Sequence, residues 1–200
     1  MAVNRGKQFE DVVEAAFEKV PNTSIVRLHD QTTGYIGSTN HCDFIVYREP
    51  LEYHIECKSV HGNTLSIHSN PKPDKRGVLH GFYGNITDTQ WTGLLEKSKV
   101  PGVIAGVLCW WVDKDVTKFI PIQFLDHLRE WTDIKSIRYD TEYSMRKYPK
   151  FDKGVIRILE YDEYNPLIEI PGTKKRVFFD YDMEAFLDEI SVRYGRPKRD

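Results

Sequence analysis

Two carboxylates and an ammonium stand at a spacing suited to metal-assisted phosphate chemistry: Asp43, twelve residues, then Glu56-Cys57-Lys58. Magnesium takes oxygen ligands, keeps several waters, and is commonly held by one or two carboxylates plus the substrate's phosphate oxygens. Asp43 and Glu56 would supply the carboxylates, and the main-chain carbonyl of Cys57 a neutral oxygen between them. Lys58 would orient an attacking water or offset charge developing on a phosphate oxygen. The ordinary alternative is a surface strand carrying a Glu–Lys pair, with Asp43 unrelated, because Glu-x-Lys is a common tripeptide.

For these groups to meet, the chain between them must double back. The stretch from Cys42 to Lys58 reads as two short apolar strands joined by a polar turn at Arg48 to Glu52. A hairpin centred near Glu49 and Pro50 sets Asp43 opposite Glu56 and Cys57. Alternation by two puts Glu56 and Lys58 on one face and sends Ile55 and Cys57 to the other. Isolated charges are costly to bury, so a converging cluster in an apolar hairpin argues for function.

The remaining elements follow from periodicity. Phe9, Val12, Val13, Ala16, Phe17 and Val20 predict a first helix ended by Pro21, and Ile25 to Leu28 a first strand. Gly62 to Gly84 reads as a long loop with one short strand, Thr64 to His68. Thr87 or Asp88 caps a second helix through Gln90, Leu94 and Leu95 to Lys97. Gly102 to Val112 is nearly all apolar, as in a central strand covered on both faces. Lys118 to Pro121 suits a neighbouring strand, and Phe124, Leu125, Leu128 and Trp131 mark a third helix. Beyond Tyr148 come three candidate strands (Val155 to Leu159, Pro166 to Ile170, Arg176 to Phe179) and a helix capped by Asp182 and ended by Gly195. The pattern is a mixed α/β domain with a C-terminal α+β extension.

Composition bounds the function classes. Two hundred residues can bury a real core as one domain. No apolar run is long enough to span a bilayer, and the N-terminus runs straight into the first helix without a secretion signal. Three cysteines, Cys42, Cys57 and Cys109, suit free thiols in a reducing compartment, and neither cysteines nor histidines are paired at zinc-ligand spacing. The net charge of −2 weighs against a non-specific nucleic-acid binder. Basic residues nevertheless gather at Lys72 to Arg76, Lys174 to Arg176 and Arg193 to Arg199, and phosphate contacts come from local clusters.

The hairpin resembles that of the metal-dependent nucleases of the PD-(D/E)xK superfamily, and within it the RecU-type Holliday-junction resolvases. Asn4-Arg-Gly-Lys-Gln-Phe-Glu10 is similar to the family's N-terminal helix start. Ser38-Thr39-Asn40-His41-Cys42-Asp43 is similar to its approach to the catalytic Asp, with matching spacing to Glu56. Thr64-Leu-Ser-Ile67, Gln90 opening a helix, and Phe119-Ile-Pro-Ile-Gln-Phe-Leu-Asp126 extend the likeness over roughly residues 3 to 135.

The resemblance implies a restriction-endonuclease-like core, residues 1–148, with a mixed sheet flanked by helices, and a C-terminal extension, 149–200, packed on it in a single domain. It implies a Mg²⁺-dependent DNA endonuclease, with Mn²⁺ as a substitute, that resolves four-way junctions as a homodimer in the cytoplasm of a bacterium or phage-infected host. Asp43, Glu56 and the Cys57 carbonyl would ligate metal, and Lys58 would be catalytic. Glu10 would be a second-sphere or water-mediated ligand, with Glu14 its rival and a solvated helix face the ordinary alternative. Gln90 would contact Lys58 or the scissile phosphate, or be only a polar residue of a first helical turn. Arg5, Lys7, Lys72, Lys75 and Arg76 would contact DNA, or be solvated. A nuclease of other DNA structures or ends, and an inactive DNA-binding module, are the alternatives.

The chain departs from the pattern in places. Cys42 replaces a residue that is often Pro or Thr, and His41 either substitutes for it or is a hydrogen-bonding bystander. The interval from Pro21 to Cys42 is short for the family's protruding stalk, whereas the loop from Gly62 to Gly84 is long. Beyond Tyr148 no counterpart is placed.

Overall fold

Asn4 opens helix α1, Arg5–Phe17, by accepting a hydrogen bond from the Lys7 amide on its side chain, and Phe9, Val13, Ala16 and Phe17 form the helix's buried face. The computed structural model describes residues 4–28, 40–67, 84–131, 134–140, 166–174 and 179–194. The strand Val155 to Leu159, the basic run Lys72 to Arg76 and Gly195 lie outside these residues.

Strands β1 (Ser24–Arg27), β2 (Phe44–Arg48) and β3 (Leu51–Val60) form an antiparallel meander. The β2–β3 turn is tighter than the sequence suggests, because Arg48 pairs with Leu51 and only Glu49 and Pro50 stand outside the ladder. β4, Thr64–Ser66, stops short of the expected end and pairs with β7, Ser136–Arg138, a strand that the apolar pattern does not announce. Helix α2, Asp88–Lys97, carries the chain to β5, Val103–Trp111, which lies parallel to β3. β6, Val116–Pro121, returns antiparallel and leads into α3, Ile122–Trp131. Among the described residues the main sheet has six strands in the order β1-β2-β3-β5-β6-β8.

The sixth strand comes from the C-terminal part. β8, Ile168–Glu169, pairs with Lys118 and Phe119 of β6. A hairpin of β9, Gly172–Lys174, and β10, Phe179–Tyr181, leads to α4, Met183–Tyr194, where Asp182 caps by accepting from the Ala185 amide. The segment read as an extension thus supplies a strand of the main sheet.

Two cores face the two sides of the sheet. One joins α1 and α4 to Phe44, Tyr53, Ile55, Cys57, Leu108 and Phe119. The other joins α2 and α3 to Val60, Val107, Cys109, Trp111 and Ile120. Gly106 has no room for a side chain where β5 meets β6: a Cβ there would lie 2.4 Å from the Ile120 carbonyl oxygen and 2.6 Å from the Phe119 ring. The architecture is an α/β domain with a mixed central sheet between helical layers, as the sequence implies. Among the described residues no helix is long and apolar enough to cross a membrane.

Candidate functional site

Period-two alternation sorts β3 by chemistry. Leu51, Tyr53, Ile55 and Cys57 enter the core under α1 and α4, while Glu52, His54, Glu56 and Lys58 occupy the opposite, α2-facing side. Asp43 stands one residue beyond the β2 ladder, its amide donating to the Ile55 carbonyl at 3.0 Å, which continues the hairpin register to Glu56. Its Oδ2 accepts from the Cys57 amide at 2.7 Å, so the backbone at Cys57 lies at the site while its thiol is buried on the other face.

Gln90 joins α2 to this strand. Thr87 and Gln90 form a reciprocal capping box at the start of the helix, the Gln90 side-chain oxygen accepting from the Thr87 amide at 3.0 Å. That same oxygen accepts from Lys58 Nζ at 3.2 Å, and the Gln90 amide nitrogen donates to Glu56 Oε1 at 2.5 Å. Lys58 Nζ also lies 2.6 Å from Glu56 Oε1. One carboxylate oxygen of Glu56 therefore takes two donors, while Oε2 is buried and has no partner among the described residues.

Glu56 is 2% exposed, and burial pushes its carboxyl pKa up to about 8. Lys58 pulls the other way, and the charges of Asp43 and Glu10 add to the upward push. An unpaired buried carboxylate oxygen is costly, and a hard cation beside Asp43 would supply its missing partner. The donor set is all oxygen, which suits Mg²⁺ or Mn²⁺. The residues present fit a divalent ion of that class.

The other candidates fall in several places. Glu10 is ion-paired with Arg27 at 2.7 Å, and Arg27 binds Asp11 and Glu14 at 2.7 Å each. Burial works against the Arg27 charge, but the hydrogen bonds to Asp11, Glu14 and Glu10 outweigh it and hold its pKa above the usual value. Glu14, the rival of Glu10, thus belongs to the same knot. Arg5 and Lys7 lie exposed on the first turn of α1, with the Arg5 guanidinium donating to Gln8 at 2.8 Å. A Cβ on Gly6 would lie 3.9 Å from Ser59 Oγ, which brings that turn to the strand end bearing Lys58. Lys72, Lys75 and Arg76 lie outside the described residues.

A second cluster was not foreseen. His41 Nε2 lies 2.8 Å from His54 Nδ1, Cys42 Sγ lies 3.8 Å from the same nitrogen, and Glu52 Oε1 lies 2.6 Å from His54 Nε2. His41, Cys42 and His54 bring three ligand atoms within 4.8 Å of one another. Sequence spacing shows no paired cysteines or histidines here, because spacing along the chain does not show groups that a hairpin brings together. Burial, helped by His54 and Lys97, lowers the His41 pKa. Burial, with the charges of Glu56 and Asp43, pushes the Cys42 thiol up to about 12. The signal available in sequence was the even-numbered series along β3, in which His54 stands between Glu52 and Glu56. For Arg27 there was none.

No family model matches the chain, and no curated protein matches it. Thirteen solved chains match, among them Hjc, a Holliday junction resolvase from the archaeal hyperthermophile Archaeoglobus fulgidus. The similarity to Hjc has 17% sequence identity and a TM-score of 0.42, over 72% of this chain and 92% of that one.

Proposed function

We propose that this protein is a divalent-metal-dependent DNA endonuclease that resolves four-way junctions as a homodimer. The observation that carries the reading is Glu56: a buried carboxylate with one oxygen tied to Lys58 and Gln90 and the other without a partner, next to Asp43. The resemblance of residues 3 to 135 to the RecU-type nucleases supports the junction as substrate and the two-fold dimer, which would place one site on each of two symmetrical strands.

Asp43 and Glu56, with the Cys57 carbonyl, would hold the metal, either Mg²⁺ or Mn²⁺. Such an ion supplies Lewis-acid stabilisation of the phosphate and a more acidic bound water. The Cys57 amide holds one Asp43 oxygen at 2.7 Å, which sets the orientation of that carboxylate at the site. Gln90, anchored by the capping box, holds both Lys58 and Glu56 in place before substrate arrives. Lys58, 20% exposed, would carry its positive charge to the phosphate oxygen or the attacking water. Glu10, tethered by Arg27, adds negative charge at the metal side, and any role it has runs through water. Arg5 and Lys7, together with Lys72, Lys75 and Arg76, would grip the DNA backbone.

Cleavage of labelled junctions tests the reading. With Mg²⁺, the protein should nick a four-way junction faster than linear duplex of the same sequence. Asp43→Asn and Glu56→Gln should each lower cutting by at least about a hundredfold while junction binding persists. Failure to cut any DNA with Mg²⁺ or Mn²⁺ would leave only a binding module. Equal cutting of junction and duplex would keep the nuclease and remove the resolvase.

A further inference from the structure

We propose that His41, Cys42 and His54 form a second metal site, for a borderline-soft transition-metal ion of the Zn²⁺ class, distinct from the carboxylate site at Glu56. The donors are two imidazole nitrogens and one sulfur, a set that selects zinc-like ions and offers Mg²⁺ nothing. Tetrahedral zinc, with bonds of about 2.0–2.1 Å to nitrogen and 2.3 Å to sulfur, holds nitrogen pairs about 3.3 Å apart and nitrogen–sulfur pairs about 3.6 Å apart. The observed separations from His54 Nδ1 are 2.8 Å to His41 Nε2 and 3.8 Å to Cys42 Sγ. Small side-chain rotations bridge both differences.

The surroundings are those of a built site. His54 and Cys42 are each 1% exposed, and His54 sits in the middle of β3. Its Nε2 faces Glu52 at 2.6 Å, and a carboxylate can only accept, so that nitrogen carries a hydrogen and Nδ1 is the ring nitrogen turned to the cluster. A carboxylate on the far nitrogen of a ligating histidine is the usual device for fixing tautomer and ring orientation. Helix α2 closes the third side: a Cβ on Gly93 would lie 2.3 Å from the His41 Cβ, so only glycine admits His41 there. Three protein ligands leave one coordination position for water. Cys42 would bind as thiolate, its proton passing to solvent. Since Asp43 follows Cys42 directly, an ion here would clamp the segment that delivers Asp43 to β3.

The test uses the full chain, stripped with chelator and titrated with Co²⁺ in millimolar Mg²⁺, Zn²⁺ serving as competitor. One equivalent of Co²⁺ should produce a thiolate-to-cobalt charge-transfer band that Zn²⁺ abolishes. Cys42→Ser should remove the band, and His41→Asn, at a half-buried position, should weaken binding by at least tenfold with circular dichroism unchanged. Glu52→Gln should weaken it about 10- to 100-fold. Glu56→Gln should keep the band, which separates this site from the carboxylate one whether or not the protein cuts DNA. The proposal is overturned by folded wild-type protein that gives no band, by a band that survives Cys42→Ser, or by one that disappears in Glu56→Gln.

Discussion

Glu56 concentrates the tension of the site. It is buried, its Oε2 has no partner among the described residues, and its carboxyl is held up to about 8 by burial against the pull of Lys58. A raised carboxyl keeps its proton in the folded state where the unfolded chain has already lost it. Stability in chelator should therefore fall as pH rises from the ordinary carboxylate range to about 8, and level off above. Urea midpoints across that range should show the decline, and Glu56→Gln should flatten it. The ionised form binds metal, so apparent Mg²⁺ affinity should rise by up to about tenfold per pH unit over the same window. A flat affinity profile would mean that Glu56 is not a ligand. Asp43, Glu56 and Lys58 could be read from sequence because a short hairpin fixes their register locally. Arg27 could not, since it acquires its partners only when β1 packs on α1, whereas the partners of His54 lie on its own strand and across the same hairpin.

Arg27 shows how an element is secured by a residue that no pattern singles out. β1 is a thin edge strand of four residues with alternating exposed and half-buried positions, too little apolar surface to hold itself. Its guanidinium, 11% exposed, ties it to three carboxylates on α1 and lies over the Phe44 ring. Removing it leaves Glu10, Asp11 and Glu14 facing one another on successive turns. Arg27→Ala should cost about 1–2 kcal/mol, discounted because the carboxylates are partly exposed. Arg27→Lys should recover only part of that, since an ammonium cannot fork across the three carboxylates. Chemical denaturation measures both, and a loss below about 0.3 kcal/mol would return the knot to ordinary surface pairing. The helices α1, α2 and α3 were legible because caps and apolar spacing are local. β7 was not: at three residues it is a strand only through a partner about seventy positions away, whereas β8 falls inside the apolar run Pro166 to Ile170 that the sequence marks as a strand.

The C-terminal part bears on what counts as one folding unit. β8 completes the sheet beside β6, and α4 buries Phe186, Leu187 and Ile190 in the core that also holds Phe9, Ile55 and Phe119. Phe186 and Phe119 rings lie 5.6 Å apart, Tyr53 OH lies 2.8 Å from Ser191 Oγ, and Thr117 Oγ1 lies 2.8 Å from Tyr181 OH. These contacts link β3 and β6 directly to the last described elements, so the strand bearing Glu56 shares its apolar support with them. A chain ended at Tyr148 would expose Phe119, Tyr53 and the inner face of α1 together. We expect that truncation to lose cooperative unfolding, and Phe186→Ala in the full chain to cost about 3–5 kcal/mol, a large share of a domain's usual 5–15 kcal/mol. Thermal unfolding followed by circular dichroism and tryptophan fluorescence decides between the possibilities. Coincident single transitions in the full chain, displaced together by Phe186→Ala, would mark one cooperative unit. A chain ended at Tyr148 that melts like the full protein would mean that the site needs only the main-sheet strands β1, β2, β3, β5 and β6.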